Sequence, residues 1–435
     1  MSEIVEVAVV GAGMFGSAAA RHLSRSGARV LVIGPAEPED GASASRHAFG
    51  AHFDEARITR RLGWDEVWGT LDSRSQERFR EIETESGVDF FHECGSLVLM
   101  ARSIGHRTDG ILRQCAAEGI AVERRTEDEL CAEFPDLGRL PMVGGVEGLL
   151  EREQAGYLNP RRLVSAQLEL ARRSGAGLLR AAVTSIRKDA AAGLWRLRAE
   201  GDDGTREIVA ERVLIATGAF SNHNGVLPGG TQLALRAFTE PNLLFEVAPD
   251  RLDSLRRLPT VVTVDPEDTG DDNMSLYLLP PIRYPDGRWY MRIGPGMQPI
   301  VQELCSVDAM VAWYRDQQIT PAQEAFLTTM ADLLVPGLKA ESVRSAACII
   351  EKTPSKYPYI GHPDEDETLT VAIGGNGHGA RGSDEIGRLA AGEVLGLPWD
   401  CPVPRDVFTP LAASHHPQEA DGSRPDFLKP PFGLC

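Results

Sequence analysis

The sequence lacks long apolar runs, paired-cysteine motifs and any excess of positive charge. No apolar stretch reaches the roughly 20 residues of a membrane-spanning helix, and no charged-then-apolar leader precedes the first strand. We therefore expect a cytoplasmic protein without a membrane partner. The 45 Lys and Arg residues are outnumbered by 63 Asp and Glu residues, which argues against nucleic acid as a partner. The seven cysteines show no C-x-x-C spacing, so we predict neither a disulfide framework nor a metal site.

A glycine-rich turn at residues 11–16 is the most informative local feature. The segment reads Gly-Ala-Gly-Met-Phe-Gly and lies between an apolar strand and a helix of small residues. In this pattern Gly11 permits a tight turn, Gly13 lets backbone approach a pyrophosphate, and Gly16 lets helix and strand pack closely. The helix that begins at Met14 and Phe15 directs unpaired N–H groups at phosphates. The pattern predicts a dinucleotide site.

The second predicted strand, at 29–33, ends without the acidic residue that usually binds the ribose hydroxyls in such sites. Gly34 stands in that place. Another group must then bind the ribose, either Glu37 or a backbone group.

The order of predicted elements indicates an α/β fold built from discontinuous segments. A Rossmann-like dinucleotide domain is expected from residues 1–90, 145–230 and 345–400, with a mainly antiparallel β-sheet substrate domain inserted at 91–144 and 231–344. Helices are predicted at 72–86, 163–173, 321–334 and 384–395. Strands are predicted at 95–100, 182–186, 194–198, 212–216, 233–240, 242–247, 260–264, 277–284, 288–293 and 369–373. The tail at 401–435 is expected to be irregular.

Three further stretches bear on function. Residues 54–61 read D-E-A-R-I-T-R-R, and residues 214–221 read L-I-A-T-G-A-F-S. In the third stretch, Cys348, Thr353 and Ile360 fit the spacing C-[LM]-Y-x-x-T-P-D-x-x-F-I-I, and residues 374–381 read G-G-N-G-H-G-A-R. With the turn at 11–16, these stretches resemble, in order, the D-amino-acid-oxidase-like flavoenzymes. The similarity is greatest to the branch of monomeric sarcosine oxidase and N-methyltryptophan oxidase, whose motifs are G-D-T-R-I-I-R-H, A-T-G-A-W-S and G-F-S-G-H-G-F-K, and it covers about residues 5–397.

This resemblance implies FAD as the cofactor. The FAD-binding residues it indicates are Gly11, Gly13, Met14, Phe15, Gly16, Arg57, Thr217, Gly218, Cys348, Gly375, Gly377, His378, Gly379 and Arg381. In the sarcosine oxidase branch, a cysteine in the place of Cys348 forms a thioether to the flavin, so covalent attachment is expected here. The alternative for Cys348 is a small buried residue in a core strand. For His378 we expect a structural hydrogen bond and no acid–base role.

The resemblance also implies roles for several arginines. Arg57 is expected over the flavin face, and Arg60 is expected to hold a substrate carboxylate. Arg381 replaces a lysine that helps to hold that carboxylate, and Arg292 replaces a lysine implicated in oxygen activation. Arg60, Arg292 and Arg381 together suggest a substrate with two carboxylates, because a guanidinium binds a carboxylate in bidentate fashion. Tyr277 either lines the pocket or belongs to ordinary sheet packing.

The predicted function is FAD-dependent oxidation of a secondary amine or N-substituted amino acid. The expected partners are a small carboxylate-bearing amine and O2, and the expected assembly is a monomer or small homo-oligomer. One alternative is a dehydrogenase of the same fold that passes electrons to another acceptor, as the loss of the lysine at Arg292 would favour. A second alternative is a flavin-binding subunit without turnover of its own.

Overall fold

The computed structural model describes residues 4–37, 50–63, 65–142, 144–223, 225–264, 275–296 and 301–415. Its α-helices are α1 (Met14–Arg25), α2 (Glu66–Ser86), α3 (Gly105–Ala117), α4 (Glu127–Glu133), α5 (Pro160–Arg173), α6 (Pro249–Leu255), α7 (Val307–Asp316), α8 (Pro321–Leu334) and α9 (Ser383–Leu395). Its strands are β1 (Ile4–Val10), β2 (Val30–Ile33), β3 (Arg57–Thr59), β4 (Phe91–Glu93), β5 (Ser96–Ala101), β6 (Glu123–Thr126), β7 (Val146–Glu151), β8 (Gly156–Leu158), β9 (Gly177–Leu179), β10 (Ala182–Asp189), β11 (Leu194–Gly201), β12 (Gly204–Ile215), β13 (Arg236–Glu246), β14 (Thr260–Val264), β15 (Leu276–Arg283), β16 (Trp289–Pro295), β17 (Val343–Lys352), β18 (Tyr359–Gly361) and β19 (Leu369–Ile373). None of the helices within these ranges has the length and apolar character needed to cross a bilayer.

The first sheet forms the dinucleotide domain. Its strands follow the order β10-β11-β12-β1-β2-β9, and β19 joins beside β12. The contacts among β9, β2, β1, β12 and β19 are parallel. The apolar run 7–10 of β1 is buried because helices cover the sheet, with α1 and α9 in contact with each other. The predicted Rossmann-like architecture from separated segments is confirmed.

The second sheet has the order β17-β13-β16-β15-β14-β5-β7-β6. All its neighbouring pairs are antiparallel except β14 and β5, which are parallel. Its apolar core includes residues of α8. The predicted mainly antiparallel inserted sheet is therefore present. β3, β8 and β4 form a small third sheet.

The second sheet includes residues beyond the domain boundaries predicted at 145 and 345. β7 pairs with β5 and β6, and β17 pairs with β13 along its length, so both strands lie in the second sheet. The sequence of an apolar strand is similar in either sheet, and pairing alone decides which sheet the strand joins.

The two strands expected at 233–240 and 242–247 are one, β13, which runs through Pro241. Pro241 precedes the part of β13 that pairs with β16, so it has a strand neighbour on one side only.

The start of the predicted irregular tail packs against the dinucleotide domain. Cys401, Val403 and Phe408 are buried in the same apolar cluster as α1 and α9. Residues 401–415 contain short 3-10 turns, and residues 416–435 lie outside the described ranges.

A buried carboxylate connects four helices of the dinucleotide domain. Asp384, in the first turn of α9, accepts hydrogen bonds from Arg21 at 2.7 Å and Gln167 at 2.8 Å, and pairs with Arg78. His22 is 3.3 Å from the same carboxylate. Burial opposes ionisation of Asp384, but its cationic and hydrogen-bonding neighbours hold its pKa well below the usual range. Burial also lowers the pKa of His22, so the positive charge at neutral pH comes from the guanidinium groups.

We expect the substitution Asp384→Asn to lower the free energy of unfolding by about 3–5 kcal/mol at pH 7, because the buried Arg21 loses its counter-ion. Because the pKa of Asp384 is depressed in the folded state, its contribution is present above the unfolded pKa of about 4 and is lost as the pH falls below it. The difference between variant and wild type, measured by urea unfolding, should therefore shrink below about pH 4. Asp400→Asn removes an exposed partner of Arg388 and should cost about 1 kcal/mol or less. Equal decreases in the free energy of unfolding of the two variants would contradict the larger contribution expected from the buried Asp384.

Candidate active site

One cavity of about 1340 Å³ connects the glycine-rich turn of the first sheet to a face of the second sheet. It brings together most of the residues that the sequence indicated. These are Gly11, Gly13, Met14, Phe15, Arg57, Thr217, Gly218, Tyr277, Arg292, Cys348, Gly375, Gly377 and Gly379. Gly16, Arg60, His378 and Arg381 are not among the lining residues of this cavity.

The first-sheet end of the cavity suits a phosphate group. α1 begins after Gly13 with no side-chain cap among the described residues, so its first N–H groups point toward the cavity. Gly11 has φ of +111°, and a Cβ there would lie 2.3 Å from the Ala216 carbonyl oxygen. A Cβ on Gly16 would lie 1.8 Å from the Gly11 carbonyl oxygen. Gly11 and Gly16 therefore form the tight turn and the close packing that the fingerprint predicts, and the site fits the pyrophosphate of a dinucleotide.

The structure explains the missing acid at Gly34. A Cβ at this position would lie 2.6 Å from the Cβ of Ala12, so the fingerprint turn leaves no room for a side chain. Glu37 lines the cavity instead. Its carboxylate lies 3.2 Å from His52 and 3.0 Å from Arg161. Burial opposes its ionisation, but these two partners lower its pKa overall.

The last two residues of β17 and the residue that follows them hold the glycine-rich loop at 374–379. Glu351 accepts 2.9 Å hydrogen bonds from two successive N–H groups at the start of the loop. Lys352 donates to the carbonyl of Asn376 at 2.8 Å, and the N–H of Thr353 donates to the Asn376 side chain at 2.9 Å. The loop that the resemblance places against the flavin is thus fixed by the second sheet.

Four side chains share one face of the second sheet at the cavity. Glu240 lies directly opposite Cys348 in the β13–β17 pair, and opposed residues project to the same face. By the same alternation, Arg292 of β16 and Tyr277 of β15 project to this face. All four line the cavity, and Glu240 is only 3 % exposed. Tyr277 donates to Asn242 in addition to lining the wall.

Arg57 and Cys348 are in direct contact. A terminal nitrogen of Arg57 lies 3.3 Å from the Cys348 Sγ, and the same nitrogen donates to the Ala51 carbonyl at 2.7 Å. Its other terminal nitrogen contacts Asp54 and donates to the Ala56 carbonyl at 2.8 Å. Both terminal nitrogens of Arg57 are therefore committed to protein acceptors.

Arg292 is also paired inside the protein. Its guanidinium contacts the Asp54 carboxylate and donates to the Ala56 carbonyl at 3.2 Å. It lies over the Tyr277 ring, 5.6 Å from the centroid, and is 2 % exposed. Asp54 therefore bridges the two arginines of this end of the cavity.

Arg60 and Arg381 lie together behind the cavity wall. The Arg381 Nε is 2.6 Å from the Asp72 carboxylate, and both side chains are buried. Arg60 is 0 % exposed and acts electrostatically on the same carboxyl. Burial raises the pKa of Asp72 to about 7, although both arginines favour its ionised form. For the predicted role in carboxylate binding, both arginines would have to reach the cavity, and Arg381 would have to leave Asp72.

His378 is a neutral member of this buried cluster. Its Nδ1 lies 2.9 Å from an Arg381 nitrogen, and a guanidinium can only donate, so Nδ1 accepts and the proton is on Nε2. Burial, and then Arg381, Lys352 and Arg60, lower the pKa of His378 well below its usual value. The Trp68 ring packs against it at a centroid distance of 5.0 Å.

The sequence did not single out the acidic partners. Asp54 stands in the second motif where the similar branch has glycine, and this departure is a signal that two arginines nearby need a counter-ion. Asp72 shares the buried face of α2 with Phe79, and an acid on an apolar helical face is a further signal. Glu240 and Glu351 could be found only once the register of β13 and β17 was known.

Comparison with known proteins agrees with this geometry. The family profile described as DAO, FAD dependent oxidoreductase, matches residues 6–392. Monomeric sarcosine oxidase of Streptomyces avermitilis is 26 % identical over 413 residues, which cover 91 % of this chain and 94 % of that protein. A variant of NikD, an unusual amino acid oxidase essential for nikkomycin biosynthesis, aligns with a TM-score of 0.74 and 20 % identity, covering 95 % of this chain and 98 % of NikD. Iminodiacetate oxidase from Chelativorans sp. BNC1 aligns with a TM-score of 0.66 and 21 % identity, covering 93 % and 99 %.

These two structural likenesses show the fold, and the family profile spans nearly all of the described core. The predicted resemblance and the predicted class of enzyme are confirmed. The chain belongs to the family of FAD-dependent oxidoreductases.

Proposed function

We propose that the protein oxidises a C–N bond of a secondary amine or an N-substituted amino acid. Bound FAD would accept a hydride from the carbon beside the nitrogen, the resulting imine would hydrolyse, and O2 would take the electrons as H2O2. The observation that supports this most is the single cavity that joins the nucleotide cradle to the face bearing Tyr277, Arg292 and Cys348. The family and the names of the relatives agree with amine oxidation.

In this proposal the residues of the cavity have separate tasks. The N-terminus of α1 holds the pyrophosphate, and the loop at 374–379 supports the flavin ring. The face of the second sheet forms the opposite wall, so a substrate between loop and sheet is shielded from water and held for transfer. Glu240 places a carboxyl group on this wall, which can accept a hydrogen bond from the N–H of an amine.

A dehydrogenase that passes electrons to another acceptor is the second candidate. One observation favours it: Arg292, in the place of the oxygen-activating lysine, is paired with Asp54. A cation beside the flavin stabilises the anion formed when O2 takes an electron, and a paired cation does so less.

Anaerobic mixing with a panel of N-substituted amino acids tests the function. We expect the flavin absorbance to bleach with at least one of them, and rapid recovery with peroxide formation once air is admitted. Bleaching with slow recovery would identify the dehydrogenase instead. Absence of bleaching by any amine would contradict amine oxidation and leave a flavin-binding subunit.

We propose that Glu37 binds the ribose of FAD in place of an acid at Gly34. The substitution Glu37→Gln should weaken FAD binding about 10-fold, because a charged hydrogen-bond acceptor is lost. Restoring the usual acid with Gly34→Asp should weaken binding as well, since its Cβ collides with Ala12. Equilibrium dialysis measures the FAD affinity of both variants after their non-covalent FAD has been removed. If the flavin is covalently bound, both substitutions are made in Cys348→Ser protein, from which it can be removed. Tighter binding in Gly34→Asp would contradict the steric argument.

We propose further that Cys348 is the covalent attachment point of FAD. Its Sγ lies at the cavity and beside Arg57. Acid precipitation of the native protein should leave yellow flavin in the pellet, whereas Cys348→Ser should release it to the supernatant. Cys401→Ser, at a buried cysteine outside the cavity, is the matched control and should keep the flavin. Flavin in the native supernatant would show that attachment is non-covalent.

A further inference from the structure

Asp54 pairs with two arginines that line the cavity, Arg57 and Arg292, and is not itself among the residues that line it. We propose that Asp54 determines substrate specificity by limiting the substrate to one carboxylate. The inference rests on the proposed function, since it concerns which amine the same cavity accepts. It replaces the expectation from the sequence that the additional arginines serve a dicarboxylate.

The Asp54 carboxylate is held in a fixed orientation. One oxygen contacts the guanidinium groups of both Arg57 and Arg292. The other accepts a 2.7 Å hydrogen bond from the Glu55 N–H and a 3.2 Å hydrogen bond from the Tyr284 hydroxyl. The side chain is 11 % exposed. Four donors from three directions therefore keep this carboxylate between the arginines.

Both arginines direct terminal nitrogens at groups of the protein. The terminal nitrogens of Arg57 bind Asp54, two backbone carbonyls and the Cys348 sulfur. Arg292 directs one terminal nitrogen at Asp54 and the Ala56 carbonyl. A second substrate carboxylate would therefore compete with Asp54 for the charge of these guanidinium groups.

Two further carboxyl groups, those of Glu240 and Asp72, support the same conclusion. Glu240 lines the cavity on the face that bears Arg292, so this face presents a further protein carboxyl group beside the arginine. The other arginine that replaces a lysine, Arg381, is matched by Asp72 in the same manner. Each of the two extra guanidinium groups thus has a carboxyl group of the protein beside it.

Two unreactive ethers that differ by one carboxylate test the proposal. Methoxyacetate and oxydiacetate mimic an N-methyl amino acid and its dicarboxylate counterpart, and neither is oxidised as an amine. Their dissociation constants are measured on the holoenzyme from the change in flavin absorbance. We expect wild type to bind methoxyacetate at least about 10-fold more tightly than oxydiacetate, because Asp54 already compensates the charge of the arginines that a second carboxylate would meet.

Removing the Asp54 charge should reverse this preference. In Asp54→Asn, oxydiacetate should gain at least about 10-fold in affinity while methoxyacetate changes far less. Asp54→Glu keeps the charge and should keep the wild-type order, which separates a charge effect from damage to the fold. Asp109→Asn removes an exposed acid paired with Arg124 and should behave as wild type.

An unchanged ratio of the two affinities in Asp54→Asn would overturn the proposal, as would binding of neither ether by any variant. Tighter binding of oxydiacetate by wild type would overturn it as well. Failure of the proposed function has a different signature, because then no amine bleaches the flavin while the ether ratio still responds to Asp54. The two failures are therefore distinguishable.

Discussion

The buried pairing of Asp384 with cations from neighbouring helices is the interaction on which the cofactor domain depends. Asp384 opens α9, and its partners come from α1, α2 and α5. α1 would provide the phosphate-binding end, and α9 follows the loop that the flavin ring would contact. A single carboxylate thereby ties together the helices next to both ends of the proposed dinucleotide site. Its charge is stabilised only where the helices meet, so the site and the helical packing form together.

The same principle governs the reaction end of the cavity. A buried lysine can lose its proton, but an arginine remains charged and needs a fixed acid when water is excluded. This chain has arginine at both positions where the similar branch has a catalytic or binding lysine. Asp54 meets Arg292 and Asp72 meets Arg381. Each of these arginines is therefore paired with an acid of the protein. The number of arginines alone says little about the charge of the substrate.

The fold could be largely predicted because its signals are local. The turn at 11–16 and the alternating or apolar strands report on neighbours a few residues away, and they gave the two-sheet architecture and the family. Pairing between distant strands has no such signal, so the domain boundaries expected from the sequence place β7 and most of β17 in the dinucleotide domain, and two strands are expected where β13 runs through Pro241. The same limit applies to the site. Cavity residues in motifs, such as Gly13, Thr217 and Cys348, could be identified from the sequence. Glu240 could not, because only the register with Cys348 places it there.

β17 contributes both to the cavity wall and to the bonds that hold the loop at 374–379. Cys348 faces the cavity, and three residues later Glu351 begins the set of bonds that holds the loop at 374–379. A strand alternates its faces with a period of two, so insertion or deletion of one residue here would turn the thiol away and release the loop together. A change in chain length should therefore be tolerated better before or after this strand than within it. Substrate range can diversify through side chains of the second sheet, while the spacing from Cys348 to Thr353 has to remain constant.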